Sequence, residues 1–172
     1  MTLLHDYDYC SRCASPLGLA ELDGHARPIC PQCGFIVYLD PKVVAAAIVE
    51  RNGQVLLVQR NVGPGVGLWA LPAGHVNRGE VIEDAVQRET AEETGLIVKV
   101  DCLVGLYSEP GNVIALAAYH VEVVGGTLQA DGHEVRDARF FDIGALPQLA
   151  FPRDRTVIHD WLHMRPEKVG KQ

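Results

Sequence analysis

Residues 74–95 read Gly74-His75-Val76-Asn77-Arg78-Gly79-Glu80-Val81-Ile82-Glu83-Asp84-Ala85-Val86-Gln87-Arg88-Glu89-Thr90-Ala91-Glu92-Glu93-Thr94-Gly95. Ile82, Ala85 and Val86 recur at helical spacing, so the stretch predicts a helix over Glu80–Thr94 that Gly95 stops. On that helix Glu89, Glu92 and Glu93 stand at i, i+3 and i+4 and share one face. Like charges so placed repel each other and weaken an isolated helix. A hard divalent cation, Mg²⁺ or Mn²⁺, removes that repulsion, because such ions take carboxylate oxygens. Arg88 can hold a neighbouring carboxylate through a bidentate contact. Glu83 and Asp84 read as ordinary solvated helix residues.

Working outward, Val43–Glu50 and Gln54–Gln59 read as strands joined by the turn signal Arg51-Asn52-Gly53. A Gly/Pro loop, Asn61–Gly67, and a short strand at Leu68–Pro72 lead into Gly74. Beyond the helix, Ile97–Tyr107, Val113–Val124 and Ala138–Asp142 read as strands. Pro152–Met164 reads as a closing helix with Val157, Ile158, Trp161 and Leu162 toward the core, and Arg165–Gln172 as a frayed end. Mixed strands and helices predict an α+β fold, a mixed sheet with helices on its faces. His159 and His163 are spaced i, i+4 on the closing helix but have no third ligand, so they read as surface residues. Trp69 and Trp161 read as core.

The N-terminal segment is different. Cys10-x2-Cys13 and Cys30-x2-Cys33 are two tight knuckles whose four thiolates suit one tetrahedral Zn²⁺ at about 2.3 Å. Four cysteines close the shell, which makes the metal structural. Cys102 is not expected to join it. About 35 residues cannot build a core unaided, so the zinc serves stability or a homodimer interface. Residues 1–38 are expected to form this ribbon, with Asp40-Pro41 as the junction and a second domain over residues 41–165.

The chain has 172 residues, of which 15 are basic and 22 acidic, for a net charge of −7. That balance disfavours a nucleic-acid surface, which needs clustered Lys and Arg. A small phosphorylated nucleotide is still admissible, since bound divalent metal reverses the local field. There is no membrane-span-length apolar run and no leader pattern at Met1–Tyr9, so a cytoplasmic protein is expected.

The pattern Gly74-x5-Glu80-x7-Arg88-Glu89-x2-Glu92-Glu93-x-Gly95 resembles the Nudix hydrolase box at every fixed position; Thr90 stands where the family prefers an aliphatic residue. Gly67-Leu68-Trp69-Ala70-Leu71-Pro72-Ala73-Gly74 before it, and Phe140-Phe141-Asp142 with Leu146-Pro147 after it, are similar to the family's flanks. The resemblance covers residues 41–163. With the ribbon, it extends to the zinc-ribbon branch, which acts on ADP-ribose, flavin adenine dinucleotide (FAD) and NADH. It implies an α/β/α sandwich and metal-dependent hydrolysis of the pyrophosphate in a nucleoside diphosphate linked to another group, releasing AMP and a second monophosphate.

It further implies that Glu89, Glu92 and Glu93 bind the divalent metal, that Arg88 orients Glu89, and that Glu80 and the Gly74 carbonyl assist. The general base is a box glutamate or a later-loop acid, for which Glu134 is the candidate. Tyr107 and Tyr119 are candidates to stack adenine, and Arg60 to contact phosphate. The NADH-type stretch is absent from Leu106–Asn112, which places FAD and ADP-ribose ahead of NADH. The rivals are a nucleoside triphosphate pyrophosphohydrolase, a non-catalytic nucleotide sensor on the same fold, and a nucleic-acid-binding ribbon protein.

Overall fold

A computed structural model describes residues 7–164. Arg165–Gln172, expected to fray, lie outside the described residues, and so does the expected domain boundary at Arg165. The chain divides into two compact units, the first ending at Pro41 and the second beginning at Lys42.

The first unit holds an antiparallel hairpin, β1 (Gly18–Leu22) and β2 (His25–Ile29), between its two cysteine pairs. The sequence predicts only turns here, and the hairpin is an addition to it.

In the second unit β3 (Lys42–Arg51) is the hub. It runs parallel to β8 (Ile114–Gly126) and antiparallel to β4 (Gln54–Arg60) and β6 (Ala73–His75). The sheet continues through β4 to β5 (Trp69–Ala70) and β9 (Val135–Asp142), and through β8 to β7 (Leu96–Tyr107) at the other side. Successive strand residues face opposite sides of a sheet, and β3 uses both. Val44, Ala46 and Ile48 join Leu116, Ala118, Val157, Ile158 and Trp161 on the side of α2 (Pro152–Met164). Ala45, Ala47 and Val49 join Ala85, Val86, Ala117 and Val121 on the side of α1 (Ile82–Thr94). This is the α/β/α sandwich with a mixed sheet. Among the described residues no helix is long and apolar enough to cross a membrane.

Helix α1 starts at Ile82, two residues later than its spacing predicts. Glu80 stays in the preceding loop because its carboxylate accepts the Asn77 N–H at 2.8 Å. At the other end Gly95 takes a left-handed conformation, φ 69°, and donates to Ala91 O. A Cβ there would also lie 2.6 Å from Thr127 O, so the stop is doubly determined. Thr90, the residue that departs from the box, is buried at 1% exposure. Its hydroxyl donates to Val86 O at 2.7 Å, which satisfies the polar group and leaves the methyl to pack.

Candidate active site and the cysteine knuckles

The exposed side of α1 is organised by Arg88. Its guanidinium donates to both Glu80 oxygens (2.7 and 2.9 Å), to Glu89 Oε1 (2.7 Å), to Glu92 Oε2 (3.0 Å) and to the His75 carbonyl (3.1 Å). The hydrogen bonds from Arg88 hold the Glu80 carboxyl down at about 2. Glu80 in turn raises the Arg88 value. Glu89 goes the other way: burial pushes its carboxyl up, against the opposing pull of Arg88. Glu93 is 6% exposed and accepts the Ala73 N–H at 2.9 Å. Burial lifts it to about 8, more than the Ala73 donor offsets. Gly74 leaves room for this arrangement, since a Cβ there would sit 1.9 Å from Glu89 Cδ.

Glu89, Glu92, Glu93 and Gly74 line a cleft of about 520 Å³, together with Arg60, Glu134, Phe151, Arg153 and Asp154. Three arginines (Arg60, Arg88, Arg153) face five carboxylates (Glu89, Glu92, Glu93, Glu134, Asp154). An anionic substrate would meet net repulsion there without added cations. The donor set is carboxylate oxygen, and three of the five, Glu89, Glu93 and Asp154, are held above their ordinary values by burial. These features fit a hard divalent cation.

In the first unit the two cysteine pairs build matching knuckles. Ala14 N donates to Cys10 O (2.8 Å) and Gly34 N to Cys30 O (2.9 Å), so each pair turns in the same way. The four sulfurs converge, with Sγ–Sγ separations of 3.6 Å (Cys10–Cys33), 3.5 Å (Cys13–Cys30) and 3.6 Å (Cys13–Cys33). These are far beyond a disulfide and close to the roughly 3.8 Å edge of a tetrahedron with 2.3 Å metal–sulfur bonds. Hydrogen bonds from Ser15 hold the Cys13 thiol down at about 6, which favours the thiolate a metal needs. Arg12 and Arg27 lie over the Phe35 and Tyr38 rings at 4.5 and 4.8 Å.

Family profiles match both units: the NUDIX domain over residues 40–161 and the Nudix N-terminal domain over residues 8–39. The chain belongs to the Nudix hydrolase family. The ADP-ribose pyrophosphatase of Methanocaldococcus jannaschii is 42% identical over 136 residues, 76% of this chain and 79% of that protein. The NAD-capped RNA hydrolase NudC of Chromobacterium violaceum is 36% identical over 151 residues, 86% of this chain and 55% of that protein. This chain thus spans about half the length of its NudC relatives. A crystal structure of a NUDIX hydrolase from Nitrosomonas europaea superposes with a TM-score of 0.84 at 28% identity, covering 93% of this chain and 95% of the other. The protein is therefore an enzyme of the Nudix hydrolase class. Enzymes of this family use divalent metals, and the N-terminal unit is a ribbon whose cysteine quartet fits Zn²⁺.

Within the Nudix domain the cleft gathers Gly74, Arg88, Glu89, Glu92, Glu93, Arg60 and Glu134, with Glu80 bound to Arg88 beside it. Glu134 sits on a loop fixed by Asp131, whose carboxylate accepts the N–H groups of His133, Glu134 and Val135. Arg60 donates to Pro64 O (2.7 Å) and Val62 O (3.2 Å), and its guanidinium lies 5.1 Å from the Phe151 ring centre.

Tyr107 and Tyr119 are not brought to the cleft. Tyr107 donates to Asp160 of α2 at 3.0 Å, while Tyr119, 7% exposed, donates to Glu83 of α1 at 3.1 Å. Each hydroxyl is thereby tied to a helix layer rather than to the cleft. Phe151, Arg153 and Asp154, at the start of α2, line the cleft instead and were missed from sequence. His159 and His163 lie with their rings 4.1 Å apart and tilted by 38° on the exposed side of α2.

Asp154 is 3% exposed and accepts the Leu71 N–H at 3.1 Å. Burial raises its carboxyl from 3.8 to about 6, with the Leu71 donor opposing. The folded state therefore binds the Asp154 proton more tightly than the unfolded chain does. Well below pH 3.8 both states are protonated; well above about 6 both are ionised and the fold carries the full cost of the buried charge. Wild type should lose about 3 kcal/mol relative to Asp154→Asn as pH rises through that window, since each pKa unit is worth ~1.4 kcal/mol. Denaturant melts of both proteins at several pH values measure this. A constant difference across the window would contradict it.

Proposed function

We propose that this enzyme hydrolyses the pyrophosphate of two-ended adenosine diphosphate compounds, ADP-ribose foremost and FAD next, with Mg²⁺ or Mn²⁺. The observation that carries the reading is one cleft lined both by the α1 carboxylates and by Phe151 with two arginines near its ring. Arg153 lies 5.3 Å and Arg60 5.1 Å from that ring's centre. An aromatic face beside cationic groups suits a base or ribose phosphate at one end of a substrate. The similarity to an ADP-ribose pyrophosphatase over most of both chains supports the order. The NudC relatives keep NAD-type pyrophosphates in the comparison.

In this reading Glu89, Glu92 and Glu93 would hold the divalent ion, with the Gly74 carbonyl alongside. A cation held there would supply charge neutralisation for the pyrophosphate and a lowered pKa for the attacking water. Arg88 fixes Glu80, Glu89 and Glu92 by charge-assisted hydrogen bonds, so their positions are set before substrate arrives. Glu134, on its pinned loop, takes the proton from water as oxygen adds to one phosphorus. The P–O–P bridge breaks, and AMP leaves with the second monophosphate. Arg60 neutralises phosphate oxygens while its loop carbonyls restrain it.

Two measurements test this. Specificity constants for ADP-ribose, FAD, NADH and nucleoside triphosphates, each with Mg²⁺ and Mn²⁺, should rank ADP-ribose first. A preference for a triphosphate with release of inorganic pyrophosphate would replace the reading with that of a triphosphate pyrophosphohydrolase. Failure to turn over any of the four would favour a nucleotide sensor. Separately, Glu134→Gln should lower kcat about 10²-fold or more with KM little changed, the mark of a lost general base. An unchanged kcat would return the base to the box glutamates.

A further inference from the structure

Cys102, the one cysteine outside the ribbon, lies on β7 opposite His120 of β8. The pairing is irregular there: Val100 faces Val121 and Cys102 faces His120, which leaves Asp101 as an extra residue in a bulge. A regular strand would send Asp101 and Cys102 to opposite faces. The bulge turns both toward the imidazole. One ligand atom from each of Asp101, Cys102 and His120 lies within 4.8 Å of the others. The Asp101 carboxylate is already 2.9 Å from His120 Nδ1. The imidazole is held from behind, stacked at 5.6 Å and 24° on Trp161, which is 3% exposed. Asp101 and Cys102 are exposed, so the cluster opens to solvent. None of the three residues lines the hydrolase cleft, and none belongs to the ribbon quartet.

We propose that Asp101, Cys102 and His120 form a second transition-metal site, selective for a borderline divalent cation such as Zn²⁺ over Mg²⁺. The ligand types decide the selectivity. A thiolate and an imidazole suit Zn²⁺, whereas Mg²⁺ prefers an all-oxygen octahedron. Three protein ligands leave one position for water. On binding, the Cys102 thiol gives its proton to solvent as the sulfur–metal bond forms. Bulges tend to mark functional positions rather than defects, and this one supplies two of the three ligands. The bound ion would tie the edge strand β7 to β8.

The test uses the full chain with its ribbon zinc in place and millimolar Mg²⁺ present to occupy the cleft carboxylates. Wild type dialysed against free Zn²⁺ should take up about one more equivalent than Cys102→Ser or His120→Ala, each of which should bind it at least about tenfold more weakly. Iodoacetamide labelling located by mass spectrometry gives a second readout. Zn²⁺, but not Mg²⁺, should protect Cys102 in wild type, and His120→Ala, which keeps the thiol, should lose the protection. Equal zinc uptake by wild type and both variants would overturn the proposal. So would protection that persists without His120.

Discussion

Glu93→Gln is expected to lower kcat by at least about 10²-fold at saturating Mg²⁺ while leaving the metal-free fold as stable as before. The carboxamide oxygen of glutamine can still accept the Ala73 N–H, now held at 2.9 Å by Glu93 Oε2. What disappears is the negative charge, and burial has already pushed that carboxyl to about 8 in the metal-free protein. Near neutral pH the metal-free wild type keeps Glu93 protonated, so the amide costs it little. The charge matters only once a cation is bound. Glu89→Gln should give a loss of similar size, because it weakens the Arg88 Nη1 contact at 2.7 Å as well as the cation site. Kinetics across a Mg²⁺ titration, paired with thermal melts in chelator, separate the two contributions. Near-normal rates in both variants would remove α1 from the catalytic centre.

What the sequence made legible follows how local each feature is. The box spacing is contained within one helix and its lead-in, so the shared face of Glu89, Glu92 and Glu93 could be read directly. Helix α1 starts two residues later than its spacing predicts because Glu80 spends its carboxylate on the Asn77 N–H and Arg88 rather than on a helical turn. The ribbon hairpin was announced by Asp23-Gly24, whose positive φ values of 53° and 75° are those of a two-residue turn. Strand β6 is three residues long and includes Gly74; only its pairing with β3 defines it. Tyr107 and Tyr119 lie on β7 and β8, strands the sequence predicts, but outside the cleft lining. Tyr119 shares parity with Ala117 and Val121, which pack beneath α1. Phe151, Arg153 and Asp154 reach the cleft because the start of α2 docks on Leu71, a contact spanning 83 positions. No local periodicity encodes such a contact.

Gly74→Ala is expected to cut kcat/KM by about 10²-fold or more with little change in Tm. A Cβ at this position would lie 1.9 Å from Glu89 Cδ and 2.1 and 2.2 Å from its carboxylate oxygens, well inside contact distance. Either β6 or Glu89 has to give. Gly74 is paired with Ala45 of β3, which is fully buried, so moving the strand would disturb the core. The Glu89 carboxylate ends a flexible side chain and can swing away by rotamer change, at a cost on the order of 1 kcal/mol. That is comparable to what alanine returns by restricting the unfolded chain relative to glycine. Stability should therefore move by about 1 kcal/mol at most. Activity should not be spared, because the swing takes Glu89 off Arg88 and out of the cleft, and a misplacement of about 1 Å can cost 10²-fold. Thermal melts and steady-state kinetics on the same preparation check both halves. Full activity would mean that the Glu89 position is irrelevant to turnover. A collapse in Tm would mean that the sheet, not the side chain, yields, and that Gly74 is there for the strand rather than for the carboxylate.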